Sequence, residues 1–179
     1  MIDLRKWQQP ESDSQNRQEL CRPLKHRTRR PRIPHRPPDS FSSGIVFLTV
    51  CAQGRRPLLN QRDAPEILKA AWQQADAWAV GRYVVMPDHI HLFCQAVRLE
   101  HSLEGWVRYW KSRVANSWPA SQDVPLWQSG HWDTEMKSVE QYASKWSYVM
   151  QNPVRAGLVA HPEDWPFSGE IHRLVLPGS

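Results

Sequence analysis

The chain has 179 residues, 40% hydrophobic and 23% charged, which suits one globular domain with a core and a tail. No apolar run reaches the ~18 residues of a membrane span, and the polar N-terminus lacks the apolar centre of a signal peptide. Cys21, Cys51 and Cys94 are odd in number, widely spaced and without a CxxC pair, which excludes a disulfide framework and a thiolate zinc site and leads us to expect a reducing cytoplasm.

The net charge of +5 is unevenly spread. Residues 1–40 hold ten of the 23 Lys and Arg but only five of the 18 acids, so the basic excess lies there. Arg22 to Arg36, including Arg29, Arg30 and Arg32, contains seven cationic side chains and no acid. Pro31, Pro34, Pro37 and Pro38 forbid a helix in this stretch. We expect a flexible basic arm over 1–40 that either meets a phosphate backbone or is simply solvated. A domain over 41–168 and a tail over 169–179 follow.

Ile45 to Cys51 is a β-branched and aromatic run that predicts a strand. Ile67, Leu68, Ala71, Trp72 and Ala75 recur at helical spacing and predict a helix over about 63–78. Val80–Met86 and His89–Val97 read as two strands of an antiparallel hairpin joined by Pro87-Asp88. Leu103, Trp106, Val107, Trp110 and Val114 form the apolar stripe of a helix over about 101–117. Residues 118–130 read as a loop and 131–137 as a weak fourth strand. Ser138 and Gln141 fit a capping box, with Val139, Tyr142, Ala143, Trp146, Val149 and Met150 as the stripe of a third helix that Pro153 ends. The order β-α-β-β-α-β-α predicts an α+β fold, a ferredoxin-like antiparallel sheet with helices packed on it.

Two fragments point to chemistry. His89 and His91 are two apart on a strand, so their imidazoles project from one face and could share a metal ion; half-buried, hydrogen-bonded histidines are the alternative. On the third helix, Tyr148 lies off the apolar stripe and Asn152, one turn later, shares its face. From the helix alone, an exposed tyrosine near an asparagine at a proline turn is the favoured reading.

The stretch Tyr83-Val84-Val85-Met86-Pro87-Asp88-His89-Ile90-His91-Leu92 resembles the His-hydrophobic-His motif of single-tyrosine HUH transposases. Tyr148-Val149-Met150-Gln151-Asn152-Pro153-Val154-Arg155-Ala156-Gly157-Leu158-Val159 resembles the tyrosine motif of one branch, the REP-associated tyrosine transposases, as does Trp165-Pro166-Phe167-Ser168. The resemblance covers about residues 44–168 and implies the HUH endonuclease fold. It further implies that His89, His91 and Asn152 hold Mg²⁺ or Mn²⁺. Tyr148 would attack a DNA phosphate and retain its 5′ side, with Lys145, one turn earlier, able to steady the phenolate. The implied partner is single-stranded DNA beside a REP-like hairpin; a monomer and a homodimer both accommodate these residues. The alternative is a domesticated hairpin-binding protein without catalysis.

For DNA contact, Trp127 and Trp132 in the loop region are the candidate stacking rings, since Trp72, Trp106, Trp110 and Trp146 fall on core stripes. Arg108, Lys111 and Arg113 on the second helix could meet phosphate or be a solvated face. Arg155 could contact DNA or brace the turn.

Overall fold

The computed structural model describes residues 44–119 and 125–176. The basic arm, with Arg29, Arg30 and Arg32, lies outside the described residues. The strands are β1 (Ile45–Cys51), β2 (Trp78–Met86), β3 (His89–Ala96), β4 (Trp132–Met136) and β5 (Ser168–Glu170). The helices are α1 (Ala64–Gln74), α2 (Leu103–Ser117), α3 (Val139–Met150) and the short α4 (Asn152–Arg155). All strand pairs are antiparallel, in the order β4-β1-β3-β2-β5. The predicted α+β sheet is therefore present, with one more strand than expected.

β5 was hidden because it is three residues long and contains Gly169, against β-propensity. Tertiary contacts hold it. Trp165 is buried and its indole N–H donates to the Val85 carbonyl at 3.0 Å. The chain keeps pairing beyond residue 168, where the tail was expected to begin. Ile171 N–H bonds the Gly81 carbonyl, and the Gln95 side chain donates to the Val175 carbonyl at 2.8 Å.

The sheet separates two layers. Leu48, Val50, Val80, Val85, Ile90, Leu92 and Cys94 project toward α1 and α2 and close a core with Trp72, Trp106, Trp110 and Val114. Successive strand residues alternate faces, so Phe47, Thr49, His89, His91 and Phe93 project to the other side. There α3 covers part of the sheet, with Phe93 meeting Tyr142 at 4.6 Å and Trp146 at 6.2 Å between ring centres. Arg82 from β2 lies against the same two rings. The two cysteines of this region, Cys51 and Cys94, are buried thiols that form no disulfide.

Several boundaries shift for physical reasons. α1 stops at Gln74, short of residue 78, because Trp78 already pairs with Ala96 in the hairpin. The capping of α3 is modified. Ser138 Oγ accepts from Gln141 N–H at 3.2 Å, while Gln141 Oε1 accepts from Lys137 N–H, one residue ahead of the cap. Val139 and Ala143 are exposed and not part of the packed stripe, which Tyr142, Trp146 and Val149 supply. α3 ends at Met150 and not at Pro153; Gln151 separates it from α4, where Pro153 occupies the first turn. Proline has no N–H to continue the ladder, so the chain turns and starts anew.

Candidate metal and nucleophile site

The tight Met86–His89 hairpin delivers His89 to the first position of β3, and His91 follows on the same face. Both side chains are buried, each 5% exposed. Their Nε2 atoms lie 3.1 Å apart. Each ring is held by its other nitrogen. Asp88 Oδ1 sits 2.7 Å from His89 Nδ1, and Thr49 Oγ1, directly across the β1–β3 pair, sits 2.9 Å from His91 Nδ1. Phe47 stacks on His91 with ring centres 5.3 Å apart.

One proton assignment satisfies every contact. His89 donates from Nδ1 to the Asp88 carboxylate, leaving its Nε2 bare. His91 then donates from Nε2 to that nitrogen, and its Nδ1 accepts from the Thr49 hydroxyl. Because a hydroxyl both donates and accepts, Thr49 can instead accept from a His91 protonated at Nδ1. That reversal bares both Nε2 lone pairs toward one point. Two ligands ~2.1 Å from a divalent ion and at right angles are about 3.0 Å apart, which the imidazole pair matches.

Burial and the surrounding charges favour a neutral His91. Burial, and then the positive charges of His89, Arg55 and Lys145, push His91 well below the ordinary histidine range. Burial pushes the Asp88 carboxyl up, but the hydrogen bond and charge of His89 and the charge of Arg55 outweigh it, so the net shift is down. Arg55 Nε pairs with Asp88 Oδ2 at 3.0 Å and its Nη1 reaches Cys51 Sγ. Arg55 adopts a left-handed backbone, φ 58°, in the turn after β1. A non-glycine residue pays conformational energy there.

Tyr148 and Asn152 part company at the helix break. Tyr148 is 41% exposed on the last turn of α3, whereas Asn152 is 4% exposed at the start of α4. The expected stacking of phenol and amide on one solvent-side helix face is thus corrected: the turn at Gln151 carries the amide inward. What joins them is Arg155, whose guanidinium carbon lies 4.1 Å from the Tyr148 ring centre. Its Nη1 donates to the Tyr148 carbonyl at 3.2 Å and reaches Asn152 Oδ1 at 3.5 Å. Asn152 Nδ2 is buried without a hydrogen-bond partner. Turned over, the same amide would offer an oxygen at that buried position, the donor a hard cation takes. Among the described residues no three or more His, Cys, Asp or Glu side chains are grouped to hold a metal.

Lys145 connects the two halves. Its Nζ lies 5.2 Å from the Phe47 ring centre and 5.9 Å from that of Tyr148. Phe47 in turn stacks on His91, so one cation and one ring link Tyr148 to His91.

No family model matches the chain. It is 24% identical over 150 residues to a Haemophilus influenzae protein named as a REP-associated tyrosine transposase, covering 76% of this chain and 85% of that one. It is 26% identical over 142 residues to the REP-associated tyrosine transposase of Escherichia coli, covering 77% and 82%. This chain is a homologue of the REP-associated tyrosine transposases. Its fold matches a solved REP-associated tyrosine transposase bound to a REP hairpin, with a TM-score of 0.61 at 23% identity over 72% of this chain and 77% of that one.

The remaining candidates divide by layer. Trp132 is 37% exposed on β4 and pairs with Thr49, which pairs with His91, so all three share a face. Trp127, the other ring expected to contact bases, is buried: it meets Trp110 edge-on at 5.7 Å and donates to the Lys111 carbonyl. Lys111 is likewise committed to structure, bonding the Gln128 and Gly130 carbonyls, and burial pushes its ammonium down. Arg113 bonds Gln74 and ties α2 to α1, while Arg108 stays exposed. All three cations belong to α2, behind the sheet from the histidines, so the phosphate contact expected of them would be made away from the His89–His91 pair. Sequence reasoning missed Thr49, Arg55 and the orienting part of Asp88. Thr49 had a signal, since it is the polar residue of the otherwise apolar β1. Arg55 had none, because its role depends on the turn bringing it back to Asp88. Among the described residues no helix is long and apolar enough to cross a membrane.

Proposed function

We propose that this chain is a metal-dependent endonuclease and strand transferase for single-stranded DNA, acting at hairpin-forming, REP-like sequences through a 5′-phosphotyrosine. The observation that carries the reading is the convergence of the His89 and His91 Nε2 atoms, 3.1 Å apart, on the sheet face covered by the helix that bears the exposed Tyr148. The names of the two relatives and the hairpin in the solved neighbour support the substrate class.

His89, His91 and Asn152 would hold Mg²⁺ or Mn²⁺, and such an ion supplies a Lewis acid for the scissile phosphate. Asp88 and Thr49 fix the imidazoles, and burial keeps them dry. Tyr148 Oη forms a bond to phosphorus as the bond from phosphorus to the 3′ oxygen breaks. The phenol gives up one proton and the departing oxygen takes up one, leaving a free 3′-OH. One phosphodiester replaces another, so attack by a 3′-OH can reseal a strand without ATP. Positions 144 and 152 are Ser and Asn, so no second tyrosine stands one turn from Tyr148 and cleavages occur one at a time. The reaction belongs in the cytoplasm, at the nucleoid.

The test is a labelled single-stranded hairpin oligonucleotide incubated with the full chain and Mn²⁺, then run on a denaturing gel. A covalent adduct is expected, absent in Tyr148→Phe. An adduct that survives this substitution would refute the nucleophile. Cleavage without adduct would indicate water as nucleophile, and binding with neither would favour a hairpin-binding protein.

A further inference from the structure

We infer that Arg155 is a positioning residue for Tyr148, holding the phenol in a fixed pose across the break between α3 and α4; this rests on the reading of Tyr148 as nucleophile. Tyr148 stands at the exposed end of a helix, 41% accessible, and is not among the rings that pack on the sheet. Such a side chain turns among rotamers unless something holds it. The guanidinium of Arg155 lies 4.1 Å from its ring centre, a distance at which the cation meets the negative face of the π-system. The same guanidinium grips the Tyr148 carbonyl at 3.2 Å and reaches Asn152 Oδ1 at 3.5 Å. One planar group thus touches the nucleophile's ring, the nucleophile's backbone and, before the amide turns over to face a cation, the oxygen of Asn152.

The geometry also says why arginine is used. A planar fork can stack on a ring while its edge donates to two oxygens; a lysine offers a single charged point. The contact crosses Gln151, where the hydrogen-bond ladder of α3 has ended. Without it, the angle between the tyrosine-bearing helix and the Asn152 turn loses a direct tie.

The experiment uses the full chain with Arg155→Ala and Arg155→Lys. First, the four tyrosines are labelled with ¹³C on the ring and observed by NMR without DNA or metal, Tyr148 being assigned from Tyr148→Phe. The Tyr148 ring signals should shift in Arg155→Ala and shift less in Arg155→Lys, while those of Tyr83, Tyr109 and Tyr142 stay put and report an intact fold. Unmoved Tyr148 signals would overturn the inference. Second, adduct formation is followed against oligonucleotide concentration with Mn²⁺. The rate at saturation should fall ~10- to 100-fold in Arg155→Ala, the scale of a misplaced reacting group, with Kd within about twofold and partial rescue by lysine. A raised Kd with an unchanged saturating rate would make Arg155 a phosphate contact and sink the inference alone. No adduct from the unaltered chain would instead overturn the nucleophile reading, and with it any catalytic purpose of the contact.

Discussion

The Nε2 atoms of His89 and His91 face each other at 3.1 Å, each imidazole pinned from behind by a different neighbour, Asp88 for one and Thr49 for the other. The pair is preorganised because both anchors are themselves fixed, Asp88 by Arg55 and Thr49 by the central β1–β3 register.

That arrangement predicts how ion binding responds to the anchors. Asp88→Asn and Thr49→Val should each weaken Mn²⁺ binding ~10- to 100-fold, the usual effect of removing a ligand's hydrogen-bond partner. His89→Ala or His91→Ala should abolish it. Titration calorimetry with Mn²⁺ alone checks this, and affinities in Thr49→Val equal to the unaltered chain would remove Thr49 from the site.

The depressed His91 sets a pH dependence for the metal-free fold. The folded chain keeps this ring neutral to lower pH than the unfolded chain, whose histidine titrates near ~6.5. Below that pH the unfolded state binds more protons, so stability falls with acidification. Thermal melts in chelator from pH 7.5 down to 5 should show Tm declining, and His91→Gln should flatten the decline. An equal slope in both proteins would count against a buried neutral His91.

Trp132 and Trp127 should separate cleanly. Trp132→Ala, on the face of the histidines, should weaken oligonucleotide binding by about 1–3 kcal/mol with little change in Tm. Trp127→Ala should instead cost about 3–5 kcal/mol of stability by opening a cavity beside Trp110. Denaturant melts and fluorescence anisotropy on both variants decide; a binding loss confined to Trp127→Ala would reverse the assignment.

The arm makes an electrostatic prediction. Deleting residues 1–40 removes the run of seven cations between Arg22 and Arg36. Affinity for single-stranded DNA should drop, and the slope of log K against log salt should shrink by roughly 0.7 for each phosphate that the arm neutralises. Identical salt slopes for the full and shortened chains would show that the arm neutralises none.

Much of this was readable from local pattern. The alternation in β1 and β3, the hairpin turn and the stripes of α1 and α2 are consequences of neighbours a few residues apart, and the structure places those elements within a few residues of their expected ends. β5 was not readable, because three residues with a glycine have no propensity of their own and are held by Trp165 and the edge of β2. Trp127 and Trp132 looked alike in sequence, five residues apart in one loop-like stretch. One is core and the other accessible because Trp127 bridges to Ala52 while Trp132 joins the free edge of β1.

By itself, then, the sequence determined the imidazole pair. Spacing of two on a strand forces His89 and His91 onto one face whatever surrounds them. It also determined that Tyr148 stands off the packed stripe of its helix. Only the tertiary structure decided what those side chains meet. The layer choice puts α3 over the histidines and α2 behind them, the break at Gln151 turns Asn152 inward while Tyr148 stays out, and long-range returns of the chain bring Thr49, Arg55 and Arg155 to their partners. Periodicity fixes directions along one element; burial and hydrogen bonding between elements fix distances, and chemistry depends on the distances.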